Sequence, residues 1–263
     1  MPLIIGHRGA SAHAPENTIA AFKIAVDARA DGVEFDVRLA KDGVPVVIHD
    51  ADLVRVAGRR EKVSELTSSQ LAKIDVGSWF GRISPGRSQL AFSEETIPSL
   101  EQTLESLTGS AGLIYIELKT GTLTSELLVD KACEVISLRS RSSNVIVKSF
   151  DLEALKRVRT NLPDIETAAL FEPAAKTVFR RRAGLVDMAA KYGANHISVH
   201  WSLVTRRLID VANSARMSIT VWTVDHPRWI ARANDLGIRS LITNYPAKML
   251  AARIGMLATH DTQ

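Results

Sequence analysis

The sequence predicts a closed parallel (β/α)8 barrel, a TIM barrel, with a small insertion after its second barrel strand. Three observations carry this. Short β-rich apolar runs alternate with helical patterns along the whole chain, as parallel strands joined by helical crossovers require. Eight such runs recur, each eventually followed by a helix. The 263 residues also suit one barrel of this kind. An open doubly wound sheet shares the alternation, but no glycine-rich phosphate loop follows the first strand.

The strands are expected at Leu3–His7, Gly32–Arg38, Leu113–Leu118, Asn144–Phe150, Thr167–Phe171, His196–Val199, Ser218–Thr223 and Ser240–Thr243. Helices are expected near Thr18–Ala30, Leu100–Leu107, Leu123–Leu138, Leu152–Asn161, Gly184–Tyr192, Leu203–Ala215, Pro227–Leu236 and Ala247–Ile254. In the third of these, Leu123, Leu127, Leu128, Val135 and Ile136 form a helical stripe suited to face a sheet. Asn17 and Thr18 read as caps of the first helix.

Two connections exceed plain loops: Arg38 to about Pro98, and Glu172 to Ala183. The first has patterned segments of its own, a strand at Val44–His49 and a short helix at Thr67–Ile74 capped by Thr67 or Ser68. Residues 1–263 therefore read as one domain carrying an inserted subdomain at about 40–97. Asp42-Gly43 is a two-residue hairpin signal, and that loop makes paired residue numbers sum to 85. Asp36 then faces His49, and Glu34, Asp36 and His49 share one face. A bulge would shift this register.

Composition narrows the function classes. Apolar residues make up 46% of the chain, enough for a large core, and charged residues 24%, as in ordinary globular proteins. Nothing approaches eighteen consecutive apolar residues, so no integral membrane segment is expected. Met1-Pro2-Leu3-Ile4-Ile5-Gly6-His7 lacks the basic start of a secretory signal. The lone Cys133 excludes an intrachain disulfide, suits a reducing cytoplasm and reads as core filler. The expected location is cytoplasmic. Net charge +4 is compatible with an anionic substrate. The basic residues are scattered, and the densest run, Arg180-Arg181-Arg182, reads as a solvated turn. No nucleic-acid partner is expected.

Catalytic groups of a barrel sit at the C-terminal ends of its strands. Those ends here read Gly6-His7-Arg8-Gly9, Glu34-Phe35-Asp36 and Glu117-Leu118-Lys119, and the hairpin adds His49. Glu34 and Asp36 interrupt an apolar strand at positions that face the barrel interior, where carboxylates need partners. Like charges about 4 Å apart repel by about 1 kcal/mol in water and about 4 kcal/mol near a protein surface. Three converging carboxylates therefore need neutralising, in part by Arg8 and Lys119 and for the rest by a divalent cation. All-oxygen ligation favours Mg2+, Ca2+ or Mn2+ over zinc. A purely structural salt-bridge network is the competing reading.

Longer motifs add a resemblance. His7-Arg8-Gly9-Ala10-Ser11 followed by Ala14-Pro15-Glu16-Asn17-Thr18 resembles the opening of glycerophosphodiester phosphodiesterases, as do Val33-Glu34-Phe35-Asp36-Val37, Lys41-Asp42-Gly43 and Val46-Val47-Ile48-His49-Asp50. Leu66-Thr67, Gly77-Ser78-Trp79-Phe80, Ile97-Pro98-Ser99-Leu100, Ile116-Glu117-Leu118-Lys119, Ser149-Phe150-Asp151, Val221-Trp222-Thr223-Val224 and Ile242-Thr243-Asn244-Tyr245-Pro246 continue it in order. The resemblance implies that His7 and His49 are general acid and base, and that Glu34, Asp36 and Glu117 ligate one divalent cation. It implies that Arg8 and Lys119 hold the phosphate and that Trp222 lines the substrate pocket. The substrate would be a small glycerophosphodiester, split into an alcohol and sn-glycerol 3-phosphate. The alternative is a phospholipase C/D-like enzyme acting on lysolipid or membrane lipid, which would want an exposed apolar lip.

One stretch departs from the family pattern. After Asp50 an Arg-Thr pair is common, whereas this chain reads Leu53-Val54-Arg55-Val56-Ala57. Lying in the insertion, it is expected to bear on lid packing or leaving-group selection rather than on catalysis. His13, His196, His200 and His226 have no carboxylate at ligand spacing, though His200-Trp201 ends a strand at the active rim. Trp79-Phe80 either packs the insertion down or walls the pocket.

Overall fold

The computed structural model describes residues 1–83, 92–121, 125–139, 144–173 and 184–260. Arg180-Arg181-Arg182, Leu123 and most of the Glu172–Ala183 connection lie outside them. Eight parallel strands close into a barrel: β1 (Leu3–His7), β2 (Gly32–Leu39), β4 (Leu113–Leu118), β5 (Val145–Ser149), β6 (Glu166–Phe171), β7 (His196–His200), β8 (Ser218–Trp222) and β9 (Ser240–Thr243). Pairing of β1 with both β9 and β2 completes the ring. Helices α1 (Ile19–Asp27), α5 (Leu100–Leu107), α6 (Ser125–Arg139), α7 (Leu152–Asn161), α8 (Gly184–Lys191), α9 (Arg206–Ser214), α10 (Arg228–Leu236) and α11 (Pro246–His260) follow the strands. Among the described residues, no helix is long and apolar enough to cross a membrane.

Alternation along each strand sorts side chains between two compartments. Outward residues of β2 (Val33, Phe35, Val37) pack against helical residues such as Phe22, Leu104 and Leu128. Inward, Ile5, Tyr115, Ile146, Ala168 and Ile242 fill the barrel, and the Tyr115 hydroxyl meets Ser240 Oγ at 3.0 Å. The buried face of α6 differs from the expected stripe. Leu128, Val129, Ala132, Cys133 and Ile136 are buried, whereas Leu127 is 48% exposed. Small residues at 132 and 133 let the helix approach the sheet, which a stripe drawn on the large residues alone overlooked. Cys133 is core filler, and burial lifts its thiol to about 11.

Between β2 and α5 the chain forms β3 (Pro45–Val47) and the short helices α2 (Val54–Ala57), α3 (Ser68–Leu71) and α4 (Ser78–Ile83). Val46, Ile48, Leu53, Val56, Leu71 and Ile97 share a separate apolar cluster there. Thr67 caps α3 by accepting from the Gln70 amide. Phe80 is buried and Trp79 packs on the same cluster, its indole donating to the Val76 carbonyl at 2.7 Å, so this pair packs the segment down.

The hairpin register differs by one from the expected sum of 85. Val37 pairs with Val47, Arg38 with Val46 and Leu39 with Pro45. The loop has three residues, Lys41-Asp42-Gly43, with Gly43 left-handed at φ +78° and its amide donating to Ala40. Asp36 therefore meets Ile48, whose amide donates to the Asp36 carbonyl at 3.0 Å, instead of His49. His49 still comes to the site because the strand ends at Val47. Pairing of β1 with β2 stops at His7–Glu34, so β3 occupies the β2 edge beyond it and runs back toward the end of β1.

Candidate active site

Parallel strands place paired residues side by side on one face, and the registers assemble the site row by row. His7 pairs with Glu34 on β1 and β2. Asp36, Glu117 and Lys148 are neighbours across β2, β4 and β5. His200 pairs with Trp222 on β7 and β8. All sit at the C-terminal rim.

The carboxylates of Glu34, Asp36 and Glu117 are buried and offer oxygens within 4.8 Å of one another. Cations surround them. Arg8 Nε lies 3.0 Å from Asp36 Oδ2, Lys119 Nζ 3.1 Å from Asp36 Oδ1 and against Glu117, and Lys148 Nζ 2.7 Å from Glu34 Oε1 and 3.5 Å from Glu117 Oε2. Burial alone would raise the Asp36 pKa. Arg8 and Lys119, with His49, outweigh it and hold the carboxyl far below the usual range. The Glu34 carboxyl is lowered in the same way, burial being outweighed by Lys148 and His7. Burial opposes the Lys148 charge, but Glu34 and Glu117 raise its pKa nonetheless.

The triad fits a hard divalent cation. Its donors are all oxygen, all buried and clustered, with Glu34 Oε1 facing the Lys148 ammonium and Glu117 Oε1 facing the Lys119 ammonium.

Both histidines are anchored through Nδ1. His7 Nδ1 lies 2.7 Å from Asn244 Oδ1, and the Asn244 amide nitrogen donates to Asp225 Oδ2 at 2.8 Å. Because Asp225 only accepts, Asn244 must present its oxygen to His7, which fixes the His7 proton on Nδ1. Burial pulls the His7 imidazole below its ordinary value, with Glu34 opposing. His49 Nδ1 lies 2.7 Å from Asp50 Oδ1, and Arg38 Nε donates to the His49 carbonyl at 2.7 Å.

The β1–α1 loop carries two of the residues at this rim in left-handed backbone, Arg8 (φ 53°) and Asn17 (φ 59°), tied by the Asn17 amide donating to the Arg8 carbonyl at 3.1 Å. Gly9 between them is also left-handed at φ +82°, and a Cβ there would lie 2.5 Å from the Ala21 carbonyl carbon. Thr18 is the helix cap. Asn17 is not: its side-chain amide donates to Asp36 Oδ2 at 2.9 Å and accepts from the Asp36 amide at 3.2 Å.

Every residue expected from sequence reaches this rim: His7, Arg8, Glu34, Asp36, His49, Glu117, Lys119 and Trp222. Trp222 forms T-shaped contacts with Phe150 at 5.9 Å and His200 at 5.3 Å. Lys148, Asn17 and Asn244 were missed as site residues. Lys148 carried a readable signal, since a lysine closing Val145-Ile146-Val147 interrupts an inward-facing strand just as Glu34 does. His196 lies at the opposite end of the barrel, where its Nε2 meets Glu166 at 2.9 Å.

Known proteins resemble this chain in sequence and fold. The Glycerophosphoryl diester phosphodiesterase family profile matches residues 7–248. The Bacillus subtilis (strain 168) protein YhdW is 35% identical over 243 residues, covering 92% of this chain and 94% of its own. A glycerophosphodiester phosphodiesterase of Caldanaerobacter subterraneus is 30% identical over 251 residues, covering 94% and 96%. In fold, the chain superposes on an Oleispira antarctica phosphodiesterase, solved in complex with the product sn-glycerol-3-phosphate, with TM-score 0.83, 24% identity and 96% of each chain covered. The chain belongs to the glycerophosphoryl diester phosphodiesterase family.

Proposed function

We propose that this chain hydrolyses a small glycerophosphodiester to an alcohol and sn-glycerol 3-phosphate. The observation that carries the reading is two imidazoles, each held through Nδ1, brought to a buried acidic triad with Arg8 and Lys119 beside it. With Nδ1 engaged, each ring presents Nε2 for proton transfer. One imidazole takes the proton of the attacking oxygen, and the other protonates the alkoxide released as the P–O bond breaks. Arg8 and Lys119 bind the non-bridging phosphate oxygens.

Glu34, Asp36 and Glu117 would hold one divalent cation, Mg2+, Ca2+ or Mn2+, which supplies Lewis-acid stabilisation of phosphate charge. Formal charges of the triad already balance those of Arg8, Lys119 and Lys148, so a bound cation leaves the pocket positive and suited to an anionic diester. Trp222, with Phe150 and His200, forms an aromatic wall for the organic part of the substrate. Residues at about 40–97 act as an inserted subdomain in a single 1–263 domain, and their role is to bring His49 and Asp50 to the rim.

A second reading has one observation in its favour. Phe150, Trp201 and Tyr245, just beyond the ends of β5, β7 and β9, are exposed and supply the apolar lip a phospholipase C/D-like enzyme needs. A panel of deacylated phospholipids assayed beside intact lysolipids, with sn-glycerol 3-phosphate release measured, separates the two. Preferential turnover of deacylated diesters is expected; predominant attack on lysolipids would replace the first reading with the second.

A further inference from the structure

The stretch expected to bear on lid packing or leaving-group selection also connects to the candidate site through two carboxylates. Arg55 is 41% exposed, yet its guanidinium makes three charged hydrogen bonds: Nη1 and Nη2 to the two oxygens of Glu16 at 2.8 and 2.7 Å, and Nε to Asp50 Oδ2 at 2.7 Å. Each partner passes the contact inward. Glu16 Oε1 also accepts from Arg8 Nη1 at 2.8 Å, and Asp50 Oδ1 meets His49 Nδ1 at 2.7 Å. One side chain thus joins a phosphate-binding arginine and a catalytic imidazole that come from different segments.

We propose that Arg55 is a positioning residue that braces Arg8 and His49 from outside the pocket, an inference that rests on the phosphodiesterase reading above. Its planar fork suits this task, because a bidentate carboxylate contact fixes orientation as well as distance. The fork arrives from an anchored backbone: Leu53 and Val56, on either side of it, are buried in the apolar cluster of the inserted segment. The Asp50 carboxylate has one oxygen on His49 Nδ1 and the other on Arg55 Nε, so Arg55 restrains the carboxylate that orients the His49 ring. Glu16, gripped by Arg55, holds Arg8 Nη1 while Arg8 Nε faces Asp36. Exposed ion pairs contribute little to stability. The consequence of losing Arg55 therefore falls on alignment, where a shift of about 1 Å costs on the order of a hundredfold in rate.

The test uses the full chain and whichever diester the substrate panel identifies. Arg55→Ala is expected to lower kcat/KM by about 10- to 100-fold with little change in Tm, methylguanidinium to restore part of the loss, and Arg55→Lys to fall between. Glu16→Gln should act mainly on KM, through Arg8, and Asp50→Asn mainly on kcat, through His49. With 15N-labelled histidine, the His49 Nδ1 resonance should move in Arg55→Ala. Should Arg55→Ala fail to fold, Arg55→Lys and Glu16→Gln carry the same comparison. Kinetics within about twofold of wild type and an unmoved His49 signal would overturn the proposal. A wild-type chain inactive on every diester would sink the functional reading instead, and the resonance shift would still decide whether Arg55 holds His49.

Discussion

Lys148 on β5 and Glu34 on β2 form a buried ion pair across the barrel mouth, Nζ to Oε1 at 2.7 Å, with both side chains essentially removed from solvent. A pair in that setting is costly to break, because the carboxylate left behind loses its counter-ion away from solvent and keeps only the Arg8 amide on its other oxygen. Lys148→Met should therefore lower unfolding stability by about 3–5 kcal/mol in chelator. Saturating Mg2+ or Ca2+ should recover part of that deficit, since a cation on the triad replaces the missing charge. Urea denaturation with and without the ion measures both, and an equal deficit in the two conditions would argue against a cation at Glu34.

The histidine pair gives the most direct test of the chemistry. His7→Ala and His49→Ala should each reduce turnover by about 10²- to 10⁴-fold, the usual worth of a general acid or base. Far-UV circular dichroism should stay unchanged. Near wild-type release of sn-glycerol 3-phosphate by either variant would remove that residue from the acid/base assignment.

Asn17 holds Asp36 at both its carboxylate and its backbone amide, so it sets the orientation of a proposed cation ligand. Exhaustive chelation should silence the wild-type enzyme, and Mg2+, Mn2+ or Ca2+ should restore it. In Asn17→Ala the cation concentration giving half-maximal activity should rise about 10- to 100-fold, as with other partners of metal ligands. Full activity after chelation would contradict the metal reading itself.

Whatever small stability the Arg55 contacts contribute should depend on pH. Burial opposes ionisation of Glu16 and Asp50, but Arg55, with Arg8 at Glu16 and His49 at Asp50, holds both carboxyls below their usual range. A carboxyl depressed on folding stabilises the native state above its unfolded value, near 4, and that contribution disappears as pH falls through the lower folded value. Any Tm difference between wild type and Arg55→Ala should therefore be present at pH 7 and diminish as pH falls through the depressed folded values of Glu16 and Asp50. A difference that persists unchanged at low pH would assign it to packing instead.

Much of this was legible in the chain. Leu3–His7, Leu113–Leu118 and Ser240–Thr243 fall where the apolar runs place them, because parallel barrel strands buried on both faces read as continuous apolar runs bounded by turns. Glu34 and Asp36 were legible for the complementary reason: a carboxylate inside such a run needs a partner. Lys148 obeys the same rule, but a lysine at a strand end is ordinarily taken as solvated. Asn17 was read as a cap because asparagine before a helix so often is one, and only tertiary contact shows that Thr18 caps while Asn17 turns to Asp36. The hairpin register turned on whether Lys41 belongs to the strand or the loop. Gly43 is left-handed in either loop, whereas a two-residue loop needs Asp42 left-handed too and here it is not, which Asp-Gly alone does not determine.

The crowding at Gly9 gives position 9 an influence far beyond its size. A single methyl group there would run into the backbone of α1 at Ala21. The strain would have to travel along the loop that carries Arg8 and Asn17, and both of those grip the same carboxylate. The smallest residue of the loop thus governs how Asp36 is aimed, and a substitution that adds no charge and touches none of the three carboxylates would be felt first as a misdirected one.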